Sequence, residues 1–139
     1  MWSVSWMEKD TQGQYTVMEA TLPPHVHQRA DETFLVLAGQ VTFHLDDKTL
    51  LLKTGEFIFA PRGIPHYFKN IGAQEAILLE TALPAGVERF FEADGKLLAT
   101  RRDSPSPVSA GDISRMRRIA PEFGITLFLP KQGCFQRKC

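Results

Sequence analysis

The chain has 139 residues, 43% apolar and 23% charged, which is one ordinary globular domain's worth of core. Sixteen basic residues balance sixteen acidic ones, which excludes a nucleic-acid binder held by bulk positive charge. The two cysteines, Cys134 and Cys139, fall in the last six residues and form neither a disulfide scaffold nor a zinc-finger spacing, so a reduced, cytoplasmic setting is expected. No apolar run approaches the roughly 20 residues of a membrane span. The opening MWSVSWMEKD lacks the basic-then-apolar pattern of a signal peptide.

Up to about Leu83 the pattern is that of short strands. QYTVMEATL (14–22) reads as a strand, and ETFLVL (32–37) as another that Gly39 ends. VTFHL (41–45) alternates strictly, with Val41, Phe43 and Leu45 on its apolar face and His44 on the other. Asp46-Asp47 turns the chain into 49–53, and Gly55 breaks it before 57–60. Pro61, Gly63 and Pro65 predict a tight turn, followed by strands at 66–69 and 76–81. Short strands about ten residues apart, separated by Gly, Pro and Asp, predict a sandwich or barrel over residues 11–83.

From Pro84 the texture changes. PAGVERFFEA (84–93) predicts a helix with Val87, Phe90 and Phe91 on one face, and RRDSPSP (101–107) is a linker. Residues 109–119 predict a second helix, opened by a capping box of Ser109 and Asp112 and ended or bent by Pro121. ITLFL (125–129) is a possible short strand. One domain over 1–139 is expected, with the mostly helical part, 84–139, as a C-terminal extension. The overall neutrality hides a split: residues 1–83 hold ten acids and six bases, and residues 84–139 hold six acids and ten bases. The extension is therefore expected to dock partly by charge.

Three of the four histidines carry the chemistry. His25 and His27, two apart, share a face if extended, and Glu32 follows five residues later. His66 follows the Pro61–Pro65 turn. Three imidazoles and a carboxylate converging inside a barrel suit one divalent transition metal ion: Fe, Mn, Ni, Cu or Zn. Asp31 should face outward, since neighbours in a strand alternate. Phe34 and Val36 share parity with Glu32, and Phe68 with His66, so these three are expected to line an apolar pocket at the metal. Tyr67 should point out.

These residues carry a family resemblance. The chain resembles the cupins, whose first motif is Gly, five residues, His-x-His, three or four residues, Glu, six residues, Gly; His25, His27, Glu32 and Gly39 match it. The second motif, Gly, five residues, Pro-x-Gly, two residues, His, three residues, Asn, is matched by Gly55, Pro61, Gly63, His66 and Asn70. Five such positions coincide by chance on the order of once per million starting points at ordinary residue frequencies. Glu19 stands where the first motif has its leading glycine, and ATLPPHVH runs straight from strand to ligands, so the loop at one pocket edge is expected to be short. DETFLVLAG (31–39), PRGIPHYFKN (61–70) and PAGVERFF (84–91) are similar to small bacterial proteins resembling quercetin dioxygenase.

The resemblance implies an all-β double-stranded β-helix (jelly-roll barrel). It also implies a metal held by His25, His27, Glu32 and His66, with Glu32 able to act as a base. The first functional expectation is an oxygenase acting on a small aromatic or enol-type substrate. The alternatives are a non-catalytic cupin that binds a small molecule, and a metal-assisted isomerase or lyase. Fold alone does not choose among them. Neither a nucleic acid nor a membrane is expected as a partner. A homodimer is expected, from the Val87/Phe90/Phe91 face and from Trp2 and Trp6.

Overall fold

Alternating burial builds two sheets that face each other. The computed structural model describes residues 3–6, 16–19, 24–94 and 109–128. Its strands are β1 (Ser3–Trp6), β2 (Thr16–Glu19), β3 (His25–His27), β4 (Asp31–Ala38), β5 (Gln40–Leu45), β6 (Lys48–Lys53), β7 (Phe57–Ala60), β8 (His66–Lys69), β9 (Ile77–Leu83) and β10 (Ile125–Leu127). One sheet runs β1-β2-β9-β4-β7 and the other β10-β3-β8-β5-β6, with antiparallel pairing throughout. This is the expected jelly roll. Phe34, Val36, Ile58, Ala60 and Leu78 from the first sheet meet Val41, Phe43 and Leu52 from the second in a shared core. In β4 and β9 every second residue is buried, the period-2 pattern of strands with one face inward.

Gly39 is required at the β4–β5 turn. Its φ is +74°, and a Cβ there would lie 2.6 Å from the Glu75 carbonyl oxygen and 3.0 Å from Ala76 Cα. Both neighbours are backbone, so neither can swing aside.

The extension departs from expectation in two ways. The first helix, α1, spans Glu88–Asp94 rather than beginning at Pro84; the Leu83–Pro84 peptide is cis, and residues 84–87 turn into the helix. Its face of Val87, Phe90 and Phe91 is not open to a partner. It packs within the chain against Ala30, Ala82, Ala120 and Ile125, with Met116, Ile119 and Phe123 around them. Among the described residues, that apolar contact packs the extension against the barrel. Arg115 pairs with Asp94 and Asp112 inside the extension. Trp2, Cys134 and Cys139 and the Trp6 side chain lie outside the described residues.

The second helix, α2 (Ala110–Ile119), has the predicted capping box of Ser109 and Asp112 and runs into a 3-10 turn at Ala120–Phe123. Gly124 ends that turn in the left-handed region at φ +72° and aims the chain into β10, which pairs with β3. Among the described residues no helix is long and apolar enough to cross a membrane.

Replacing Gly39 by Ala should cost at least about 1–2 kcal/mol, the penalty of a left-handed L-residue, with the backbone clash added. Denaturant unfolding of the Gly39→Ala variant against the parent chain measures it.

Candidate metal centre

Each sheet supplies part of the site. β3 and β8 present the histidines from one side: His25 and His66 lie directly opposite across the β3–β8 pair, and His27 is two residues further along β3. β4 presents Glu32 from the other side. Its two cross-strand neighbours are Ala60 and Ala82, whose small side chains leave space around the carboxylate.

The turn between β7 and β8 ties these pieces together. The Gly63 N–H donates to the His27 carbonyl at 2.8 Å. Arg62 donates to Asp31, beside Glu32, through its backbone N–H (2.9 Å) and its guanidinium (3.1 and 2.7 Å). Those hydrogen bonds hold the Asp31 carboxyl down at about 2 and keep it at the surface, as its strand parity required. His66 Nδ1 lies 3.1 Å from the Ile64 carbonyl; a carbonyl only accepts, so Nδ1 carries the proton and Nε2 presents its lone pair.

The four side chains converge. His25, His27, Glu32 and His66 each offer a ligand atom, all within 4.8 Å of one another, and all four residues are buried. This spread is close to the ~4 Å that separates opposite donors on an ion with ~2.1 Å bonds. Glu32 Oε1 is 3.2 Å from His27 Nε2 and Oε2 is 2.7 Å from His66 Nε2. Those approaches lack hydrogen-bond alignment, so both Glu32 oxygens and both imidazole nitrogens are buried without a hydrogen bond. Buried polar atoms without partners are rare and costly. Four of them pointed at one place, in a neutral-imidazole and carboxylate set, fit a divalent cation.

Electrostatics agree with that fit. Burial, with His25 and His66 adding to it, pushes His27 well below its usual range. Burial also lowers His66, against the opposing effects of the Ile64 carbonyl and Glu80. Both rings are therefore neutral, as a metal ligand must be. Burial pushes the Glu32 carboxyl up to about 8, against a smaller opposing effect of the neighbouring Glu80 carboxyl.

Two residues of the site escaped the sequence reading. Glu80 on β9 is 5% exposed and faces the same interior, its carboxyl pushed well above the usual range by burial and by Glu32. The available signal was its parity: 78, 80 and 82 are the buried positions of β9, and an acid sits in the middle of them. Phe43 stacks on His66 at 6.1 Å with an interplanar angle of 10°, although only its place on the core face was legible. Of the expected lining residues, Phe34 contacts His66 edge-on at 5.8 Å, and Phe68 sits behind Phe34 and Phe43. Val36 lies one step further into the core. His44 and Tyr67 stack on each other at 4.2 Å on the outer side, with Thr49 at His44 Nδ1, away from the cluster.

Comparison with known proteins agrees with the geometry. The family model for the cupin domain matches residues 14–82, about half of the chain. The chain is a member of the cupin superfamily. It is 38% identical over 84 residues to germin-like protein 5-1 of Oryza sativa subsp. japonica, covering 55% of this chain and 36% of that one. It is 28% identical over 94 residues to quercetin 2,3-dioxygenase of Bacillus subtilis, covering 63% and 28%. Among solved structures, an uncharacterized conserved protein with a double-stranded beta-helix domain from Klebsiella pneumoniae superposes with a TM-score of 0.54 at 23% identity, covering 61% of this cupin and 72% of that chain. The cupin therefore spans about a third of the length of these curated relatives, and the structural likeness is one of fold.

The site makes the pH dependence of stability specific. Between about pH 7.5 and 8 the depressed histidines are neutral in the fold and almost wholly neutral in the unfolded chain, whose imidazoles titrate near 6.5. A carboxyl raised from 4.5 to about 8 stays protonated in the fold while the unfolded chain ionises. The fold then binds more protons than the unfolded chain, so stability of the metal-free protein should fall as pH rises through this window. Metal displaces the proton, so its affinity should rise over the same interval. Melting temperatures at pH 7.5 and pH 8.5, with chelator and with excess divalent metal, should diverge with pH; parallel curves would count against a raised Glu32.

Proposed function

We propose that this cupin is a metal-dependent oxygenase that acts on a small aromatic or enol-type molecule. What carries the reading is the buried set of three imidazoles and one carboxylate, bordered by the aromatic rings of Phe34 and Phe43. The similarity to a quercetin 2,3-dioxygenase supports it. His25, His27, Glu32 and His66 would hold one divalent ion, which when bound supplies a Lewis acid with open positions for a deprotonated substrate oxygen and for O₂.

The chain's own residues then have distinct tasks. Phe34 and Phe43, both fully buried with Phe68 beside them and Val36 deeper, wall the inner side of the ligand set with apolar rings. The same surface excludes water and strengthens electrostatic interactions at the ligand set. Glu32, which faces the three imidazoles, is placed to take the proton of a substrate hydroxyl at one of its carboxylate oxygens.

Anaerobic loading with Fe(II), Mn(II), Ni(II) or Cu(II), followed by O₂-uptake assays on flavonols and simpler diketones, tests the reading. Uptake should require metal. Loss of Glu32 as a base should lower it by about 10²–10⁴-fold in Glu32→Gln. A chain that retains stoichiometric metal but takes up no O₂ with any of these substrates would point instead to isomerase or lyase chemistry. A chain purified with a metabolite and no metal would point to a non-catalytic binding protein.

The expected homodimer needs a different surface from the one read in the sequence, because Phe90 and Phe91 are buried. The outer face of the first sheet offers one. Phe57 (65% exposed) and Phe59 (50% exposed) lie beside Leu35 and Thr33, with Leu37 and Ile77 exposed nearby. β7 ends its sheet, so a second copy could pair with it antiparallel about a two-fold axis, each chain covering the other's phenylalanines. Light scattering should give the mass of two chains, reduced to one in Phe59→Glu. A single-chain mass for the parent at micromolar concentration would refute this.

A further inference from the structure

Two successive backbone donors of the β7–β8 turn reach opposite sheets. The Arg62 N–H donates to Asp31 Oδ1 at 2.9 Å, and the Gly63 N–H donates to the His27 carbonyl at 2.8 Å. Asp31 opens β4, the strand of Glu32, in one sheet; His27 lies on β3 in the other. The Arg62 guanidinium adds a forked contact to the same carboxylate, with Nε donating to Oδ1 at 3.1 Å and Nη2 to Oδ2 at 2.7 Å. The Glu32–Ala60 pair is the end of the β4–β7 ladder, so Asp31 catches the chain just after it leaves β7. The turn's other described anchors lie in the second sheet: Asp46 N–H donates to the Pro65 carbonyl, and His66 Nδ1 to the Ile64 carbonyl. The Asp31–Arg62 pair is part-exposed, and an exposed ion pair by itself adds little to stability. What this one does follows from where it sits.

We propose that Asp31 is a positioning residue of the metal centre: through Arg62 it pins the β7–β8 turn to β4, so that Glu32 from one sheet and His27 and His66 from the other keep the separation one ion needs. The inference rests on the metal-binding reading of the cluster. Asp31 and Glu32 are neighbours on β4 that point to opposite faces, so a hold on the outer side chain fixes the backbone from which the inner one projects. The turn held in this way leads straight into His66, and its Ile64 carbonyl sets that ring. Without the Asp31 carboxylate, the turn's described hydrogen bonds to its surroundings would all go to the second sheet, and Glu32 would be tied to the histidines only through strand pairing and the core. Binding constellations must be held within about 0.5 Å of their productive geometry. Glu32 Oε2 lies 2.7 Å from His66 Nε2, so a slip of that size between the sheets would spoil the ligand set while the apolar core stayed in contact. Arginine suits the task because its planar fork meets a carboxylate at two points, which lysine cannot do.

The test separates this role from a merely structural one. Zn(II) affinity is measured by competition with a chelating dye for the parent, Asp31→Ala, Asp31→Asn and Arg62→Lys. The melting temperature of each metal-free protein and the visible absorption of each Co(II)-loaded protein are measured beside it. Partners that orient metal ligands are worth about 10–100-fold in affinity, and Asp31→Ala, acting through the backbone, should lose about 10-fold. Asn keeps an oxygen for the Arg62 N–H, and Lys keeps the backbone donor, so each should fall between the parent and Ala; both carry the reading should Ala fail to fold. A chain with Asp31→Ala and Arg62→Lys together should bind no more weakly than Asp31→Ala, as expected of groups that act as one. The Co(II) band of Asp31→Ala should change in position or intensity, because its ligands have moved. Parent-like affinity and spectrum in Asp31→Ala would overturn the proposal. So would weaker binding with a lower metal-free melting temperature and an unchanged Co(II) spectrum, the mark of lost stability alone. A parent that binds no metal would overturn both this inference and the metal-dependent function.

Discussion

The structure is organised around four buried polar atoms that have no hydrogen bond: Nε2 of His27, Nε2 of His66 and the two oxygens of Glu32. Each such group costs of the order of 1–3 kcal/mol relative to a satisfied one. A marginally stable domain of this size tolerates that only if the rest of the fold over-determines their positions. Two facing sheets do so. The histidines come from one and the carboxylate from the other, so collapse of the cluster would require the sheets themselves to shift against a close-packed core. A divalent metal bound there would give the same four atoms partners and would couple binding to folding.

The turn at Pro61–Pro65 explains why motif residues that ligate nothing matter to the site. Gly63 reaches back to the carbonyl of His27, Arg62 clamps Asp31 next to Glu32, and Ile64 fixes the tautomer of His66. A five-residue turn thus sets the mutual placement of three ligand-bearing strands. Asp46 N–H adds a fourth attachment by donating to the Pro65 carbonyl. Proline and glycine suit these positions because the backbone must turn tightly and still present its donors and acceptors outward.

The strands were legible because half-buried strands write their period into the sequence. VTFHL and DETFLVLA alternate in burial as their residues do. The ligand set was legible because its spacing is tied to backbone turns. What stayed hidden depends on contacts between distant segments. That the Val87/Phe90/Phe91 stripe lies against Ala30 and Ala82 follows from docking, and periodicity shows only that a face is apolar. The late start of α1 follows from the turn after Leu83, where proline looked like a first helical residue. Glu80 was hidden for a different reason: a charged residue at an inward position reads as an exception to the strand pattern until its neighbour across the sheet is known.

The extension belongs to this same logic. Without it β3, the strand that carries two of the three histidines, would be an edge with unpaired backbone groups. β10 closes that edge, pairing Ile125 with His27 and Leu127 with His25, and two further bonds, Gln28 N–H to Gly124 and Phe128 N–H to Pro24, extend the seam. Ile125 is also part of the apolar contact with Phe90 and Phe91, so one residue joins the packing of the helices to the pairing of the ligand strand. Ligand identity alone admits many chemistries on this barrel. What distinguishes one such site from another is the shell that fixes the ligands: here a strand from the extension behind His25 and His27, and an aromatic ring stacked on His66. The chemistry of this cupin is therefore to be sought in that shell, where the chain departs from what its motifs specify.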